Sequence, residues 1–183
     1  MKHKTQKGFT LVELLISMTI FFIFVVMTYV NYSYYQNISK VKLSLKQISQ
    51  TINDARNLAI SGYNKDGINQ SIGVYFDLEN DKNNISLYAI NYNSGIILNN
   101  NSFYKKISLQ PGIGIDNISG KNKILIYFSS IYAKPEIYYY DNSGVANIFS
   151  GDYLDFDISF KGALTFPLNR KLKYFKNTNV VDY

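Results

Sequence analysis

From Phe9 to Val30 the chain runs almost without a polar break, FTLVELLISMTIFFIFVVMTYV, and the pattern then changes period twice. At ~1.5 Å per residue this run makes a helix of about 33 Å, enough to cross the hydrocarbon core of a bilayer. Beyond it, Ile38, Val41, Leu45, Ile48, Ile52, Ala55 and Ala59 recur at alternating intervals of three and four, drawing one apolar stripe along a helix. Lys40, Lys42, Lys46, Gln47, Asn53, Asp54 and Arg56 fall mostly off the stripe. The stripe is expected to pack on the chain's own domain rather than on another chain, because strand-rich sequence comes directly after it. No proline stands before Pro111, so nothing calls for a kink between Phe9 and about Ser61, and Gly62 is a natural helix stop.

After Gly62 the apolar residues alternate with polar ones. Ser71–Leu78 and Ile85–Tyr92 flank the polar run from Glu79 to Asn84, which reads as a hairpin loop. Further strands are expected at Phe103–Leu109, Gly114–Ile118, Lys123–Phe128, Glu136–Tyr140, Tyr153–Phe160 and Lys171–Phe175, separated by Gly, Asn or Pro. The predicted fold class is α+β: a long N-terminal transmembrane and amphipathic helix packed on a mainly antiparallel β-sheet head. There is no internal repeat and no linker long enough to divide the head.

Composition narrows the chemistry. A chain of 183 residues suits one globular unit with an appended segment. There is no cysteine, so no disulfide, thiolate metal site or thiol nucleophile is available, and the only histidine, His3, lies ahead of the apolar run in a segment expected to be removed, which would leave the mature chain without one. Ser-His-Asp and Cys-His catalysis are thereby set aside, and a zinc or non-haem iron site is disfavoured. No catalytic residue, metal set or cofactor is expected. Lys2, Lys4 and Lys7 precede the apolar run with no acidic residue among them, which holds the N-terminus in the cytoplasm and sends the chain beyond Val30 outward.

One residue is not explained by anchoring. Glu13 lies inside the apolar run, where insertion scales charge about 2.5–3.5 kcal/mol for an acidic side chain at mid-bilayer and less near the surface. A tolerated interfacial carboxylate is the plainer reading. Its neighbours argue otherwise: Lys7-Gly8-Phe9-Thr10-Leu11-Val12-Glu13-Leu14-Leu15 resembles the prepilin processing motif of the type IV pilin family. The resemblance is specific over residues 7–30 and architectural beyond them. It implies that a membrane-embedded aspartyl peptidase cuts between Gly8 and Phe9 and methylates Phe9. Glu13 would then be the fifth mature residue, where its charge pairs with the new amine of its own or a neighbouring subunit. On this reading residues 1–8 are a cleaved leader, 9–30 a transmembrane and assembly helix, 31–62 an amphipathic helix and 63–183 the β-rich head. Losing three of the 19 basic residues leaves 16 against 13 acidic ones, a net +3, which gives little support for a nucleic-acid partner.

The resemblance also implies partners and place: other pilin or pseudopilin subunits, the prepilin peptidase, membrane lipid before assembly, and an inner-membrane location with the head outside. Major pilins often carry a proline in this helix and a C-terminal disulfide loop, and this chain has neither, which points to a minor pilin or pseudopilin. The order of helix, Asp54-Ala55-Arg56-Asn57-Leu58-Ala59 and hairpin is similar to H-type pseudopilins of type II secretion and their type IV pilus counterparts.

Three other clusters have plainer readings. Asp77, Glu79, Asp81 and Asn83 alternate like calcium ligands but lack the bidentate glutamate and glycine of an EF-hand, so a solvated hairpin tip is preferred. Asp155 and Asp157 share a strand face as exposed polar residues. Arg170, Lys171, Lys173 and Lys176 around Tyr174 and Phe175 could contact DNA, although a lysine-guarded edge strand accounts for them better. The alternatives to a filament subunit are an uncleaved membrane-anchored binding module and a DNA-binding pilin of an uptake system.

Overall fold

The structure, a computed structural model, describes residues 9–65, 68–90, 103–130, 134–141, 143–161, 168–178 and 180–182. One helix, α1 (Leu11–Ile60), is followed by β1 (Asn64–Lys65), β2 (Ile68–Asn69), β3 (Ser71–Asp77), β4 (Asn84–Ile90), β5 (Phe103–Ser108), β6 (Ile113–Ile118), β7 (Lys123–Phe128), β8 (Pro135–Tyr140), β9 (Ala146–Ile148), β10 (Tyr153–Phe160), β11 (Asn169–Phe175) and β12 (Val180–Asp182). This is the expected α+β layout. Asn91 and Tyr92, at the end of one expected strand, lie outside the described residues.

The chain divides into two compact units, Met1–Ile38 and Ser39–Tyr183. In the first, every side chain from Phe9 to Tyr29 is exposed, and the helix is long and apolar enough to cross a membrane, with a mean hydropathy of 2.4 over its most apolar stretch. Its hydroxyls are satisfied within the helix: Ser17 donates to the Glu13 carbonyl (2.7 Å), Thr19 to Leu15 (2.8 Å) and Thr28 to Phe24 (2.8 Å). Such back-bonding lets a hydroxyl sit in an apolar medium without a free donor.

In the second unit the helix stripe is the floor of the core. Val41, Leu45, Ile48, Ile52, Ala55 and Ala59 are all buried, together with apolar side chains of two antiparallel sheets. Polar groups beside the stripe tie helix to strands: Gln47 Nε2 donates to the Ser108 carbonyl (2.8 Å), and the Gln110 amide donates to Ser44 Oγ (3.2 Å). The helix stops at Gly62, whose φ of 70° is open to glycine at little cost. The Tyr63 amide bonds the Leu58 carbonyl and the Gly62 amide the Ala59 carbonyl, each at 3.2 Å, which is a Schellman ending.

The six-stranded, larger sheet has the order β5-β4-β3-β7-β8-β9 and a four-stranded sheet the order β12-β11-β10-β6, while β1 and β2 form a separate two-stranded ribbon, each antiparallel throughout. Phe76 of β3 and Phe156 of β10 meet edge to face across the core, with ring centroids 5.1 Å apart. The far face of the larger sheet holds a second cluster, in which Ile90, Leu125 and Tyr127 are buried beneath Tyr75, Tyr88, Tyr138 and Tyr140. The C-terminal segment departs from the expectation of an edge strand. A further strand, β12, pairs with the second half of β11, Lys173 opposite Asp182 and Phe175 opposite Val180.

Candidate processing and assembly site

A helix begins with amide groups that have no partner one turn back. Here Thr10 and Glu13 supply the partners. The Glu13 amide donates to Thr10 Oγ1 (3.2 Å), while the Thr10 amide (2.9 Å) and hydroxyl (2.8 Å) both donate to Glu13 Oε2. The Leu14 amide then bonds the Thr10 carbonyl (3.2 Å) as the first helical bond. This reciprocal arrangement is a capping box, and a carboxylate in the first turn also complements the helix dipole. The capping role of Glu13 is additional to the charge that singles it out in the sequence. Its signal is a threonine and a glutamate three residues apart ahead of an apolar run.

Both bonds fall on Oε2. Oε1 has no hydrogen bond to a described residue, so one carboxylate oxygen stays available on an exposed helix end. Phe9, 78% exposed, stands immediately before the cap. Gly8, Lys7 and the rest of the expected leader lie outside the described residues.

Of the four C-terminal cations, Arg170 and Lys171 line one open cleft with Asp116, Asn117 and Asp157. Lys171 Nζ lies 3.5 Å from Asp157 and Lys173 Nζ 4.0 Å from Asp155, along the register that pairs β11 with β10. Lys173 also sits over the Tyr153 ring, 4.7 Å from its centroid. Arg170 lines a cleft with Lys42 and Lys46 of the helix, and the Lys176 amide bonds the Asp152 carbonyl (2.9 Å). Tyr174 is fully buried, and burial pushes its phenol up, so it offers no ring for a base to stack on.

The hairpin tip is likewise committed. Asp77 Oδ1 accepts the amides of Glu79 and Asn80, each at 3.0 Å. Glu79 is paired with Lys123 and Asp81 with Lys106. Asp155 and Asp157, expected to be exposed, are half-buried and face the β11 lysines, while Leu154, Phe156 and Ile158 alternate with them into the core as expected. Among the described residues no three His, Cys, Asp or Glu side chains converge as a metal set.

A single long apolar helix leading an antiparallel β head is a pilin-like layout. Residues 3–29 match the prokaryotic N-terminal methylation motif, so the chain carries the type IV prepilin-like signal at its N-terminus. No curated protein and no solved structure matches the chain.

Proposed function

We propose that this chain is a structural subunit, a minor pilin or pseudopilin, of a type IV pilus or type II secretion pseudopilus. It is inserted in the cytoplasmic membrane as a precursor with its head outside, cut between Gly8 and Phe9 by a prepilin peptidase, methylated at Phe9, and assembled with other subunits through its N-terminal helix. The observation that carries this reading is the methylation motif over residues 3–29, laid across a helix whose only charged side chain between Phe9 and Ser39 is Glu13. Cleavage would create an amine one residue before Thr10, and Glu13 Oε1, which bonds no described residue, is the oxygen that such an amine, from this subunit or the next, would neutralise. The missing proline and cysteine favour a minor or secretion-type subunit over a principal fibre subunit, and the order of helix, Asp54–Ala59 and hairpin favours the H-type subclass.

The reading makes no use of catalysis or of DNA. Lys171 and Lys173 face carboxylates, which leaves only Arg170 and Lys176 of the four cations for a DNA backbone. The test is Gly8→Leu in the host. It should leave the precursor in the membrane fraction and remove it from sheared, sedimentable filaments. Normal incorporation of the uncut variant would favour the membrane-anchored binding module instead.

A further inference from the structure

Five lysines of the head, Lys106, Lys123, Lys161, Lys171 and Lys173, each have a carboxylate within 4.0 Å. Lys42, Lys46 and Arg170 have none among the described residues, and all three line one pocket. The pocket is open, about 570 Å³, with Ser39, Leu43 and Leu45 also lining it, and none of the described residues lining it is acidic. Lys42 and Lys46 are four residues apart on α1, hence on one face, where like charges repel. Arg170, opposite Ile158 at the start of β11, brings a third positive charge from the sheet. None of the three is ion-paired with a described residue; Arg170 also borders a neighbouring cleft with Asp116 and Asp157, but those carboxylates are engaged by Lys161 and Lys171, so an anion in this pocket would complete its charge balance.

We propose that this pocket binds the phosphate of an anionic lipid headgroup. Guanidinium and ammonium groups together suit a phosphate, arginine by its planar fork and lysine as a point charge. Leu43, half exposed at 51%, gives the pocket an apolar lip that a glycerol and upper acyl chain would cover and an inorganic ion would not. The chain's order indicates the source. Ser39 is the first residue of the compact head unit, and just before it come the exposed tyrosines Tyr29, Tyr32, Tyr34 and Tyr35, an aromatic belt of the kind found at a membrane surface. The inference stands whether or not the chain enters a filament.

The experiment uses the full chain in neutral detergent. It is titrated separately with dihexanoyl phosphatidylglycerol, dihexanoyl phosphatidylcholine and inorganic phosphate, and bound molecules are counted by native mass spectrometry. Phosphatidylglycerol should saturate at one strong site, with phosphatidylcholine and free phosphate at least tenfold weaker. Changing Lys42, Lys46 and Arg170 to Gln should weaken it about hundredfold, from a roughly fivefold contribution per cation. A Lys171→Gln, Lys173→Gln control should change nothing, and Arg170→Gln alone should give an intermediate loss. Equal affinity for the two lipids, free phosphate as tight as phosphatidylglycerol, or equal loss in the control would each overturn the proposal.

Discussion

Glu13 and Thr10 hold each other at the head of α1: the glutamate carboxylate accepts the threonine amide and hydroxyl at 2.9 and 2.8 Å, and the threonine oxygen accepts the glutamate amide in return. The lone carboxylate of the apolar run is therefore partly satisfied within its own chain, and the remaining demand on it is set by Oε1. Glu13→Ala should leave membrane insertion intact, or improve it by about one or more kcal/mol, because an acidic side chain is removed from the apolar run. It should nevertheless reduce incorporation into filaments. Membrane fractionation and shearing of the same cells read both effects, and normal assembly of the variant would show that the carboxylate pairs with no amine.

The helix stripe gives a stability prediction. Ile48 is completely buried between the helix and the sheets. In a soluble head starting at Asn31, which should fold alone, Ile48→Asp would bury an unpaired charge and cost several kcal/mol. The thermal midpoint should fall steeply, and an unchanged midpoint would mean that the stripe is not packed on the sheets in solution.

A tighter test lies on the far face of the larger sheet. Gly73 of β3 sits between Tyr88 and Tyr127 in the register, and the space a side chain would fill is already taken. A Cβ there would lie 2.7 Å from Leu125 Cδ1 and 2.9 Å from Ile90 Cδ1. Gly73→Ala should therefore destabilise the head by about 1–3 kcal/mol through overpacking, measured by urea unfolding. Stabilisation, the usual result of replacing a strand glycine, would contradict the packing of this cluster.

The helix and eight of the strands are legible in the sequence because their periods are. A stripe at intervals of three and four, a glycine after it and alternating segments between Asn and Gly clusters leave little room for another assignment. β1, β2, β9 and β12 are not legible, since each has only two or three residues, too few to show a period. The division into separate sheets is not legible either, because alternation gives a strand's faces and not its neighbours. That limit explains the C-terminal cations. Alternation places Leu172 and Tyr174 on one face of β11, and both are buried there. That Lys171 and Lys173 look onto Asp157 and Asp155, while Arg170 joins the helix lysines, depends on which strand and which helix face lie alongside.

The paired carboxylates of the hairpin tip set a pH dependence. Hydrogen bonds from Lys123 and then Asn122 hold Glu79 below its ordinary value of 4.5. At Asp81, partial burial pushes the value up, and bonds from Lys106 and Asn84 outweigh it, leaving the group below 3.8. Both folded values are lowered, so the pairs add stability above the ordinary values and lose it as the pH falls through the folded ones. Unfolding midpoints of the head should thus be flat near neutrality and drop below about pH 4, less so in a Lys106→Gln, Lys123→Gln variant. An identical acid response in the variant would remove these pairs as its cause.

The mature N-terminus tests the central claim most directly. Intact-mass analysis of the protein extracted from host membranes or filaments should give a chain that begins at Phe9 and is one methyl group heavier than its sequence. Assembled protein that still carries Met1 to Gly8 would contradict the account.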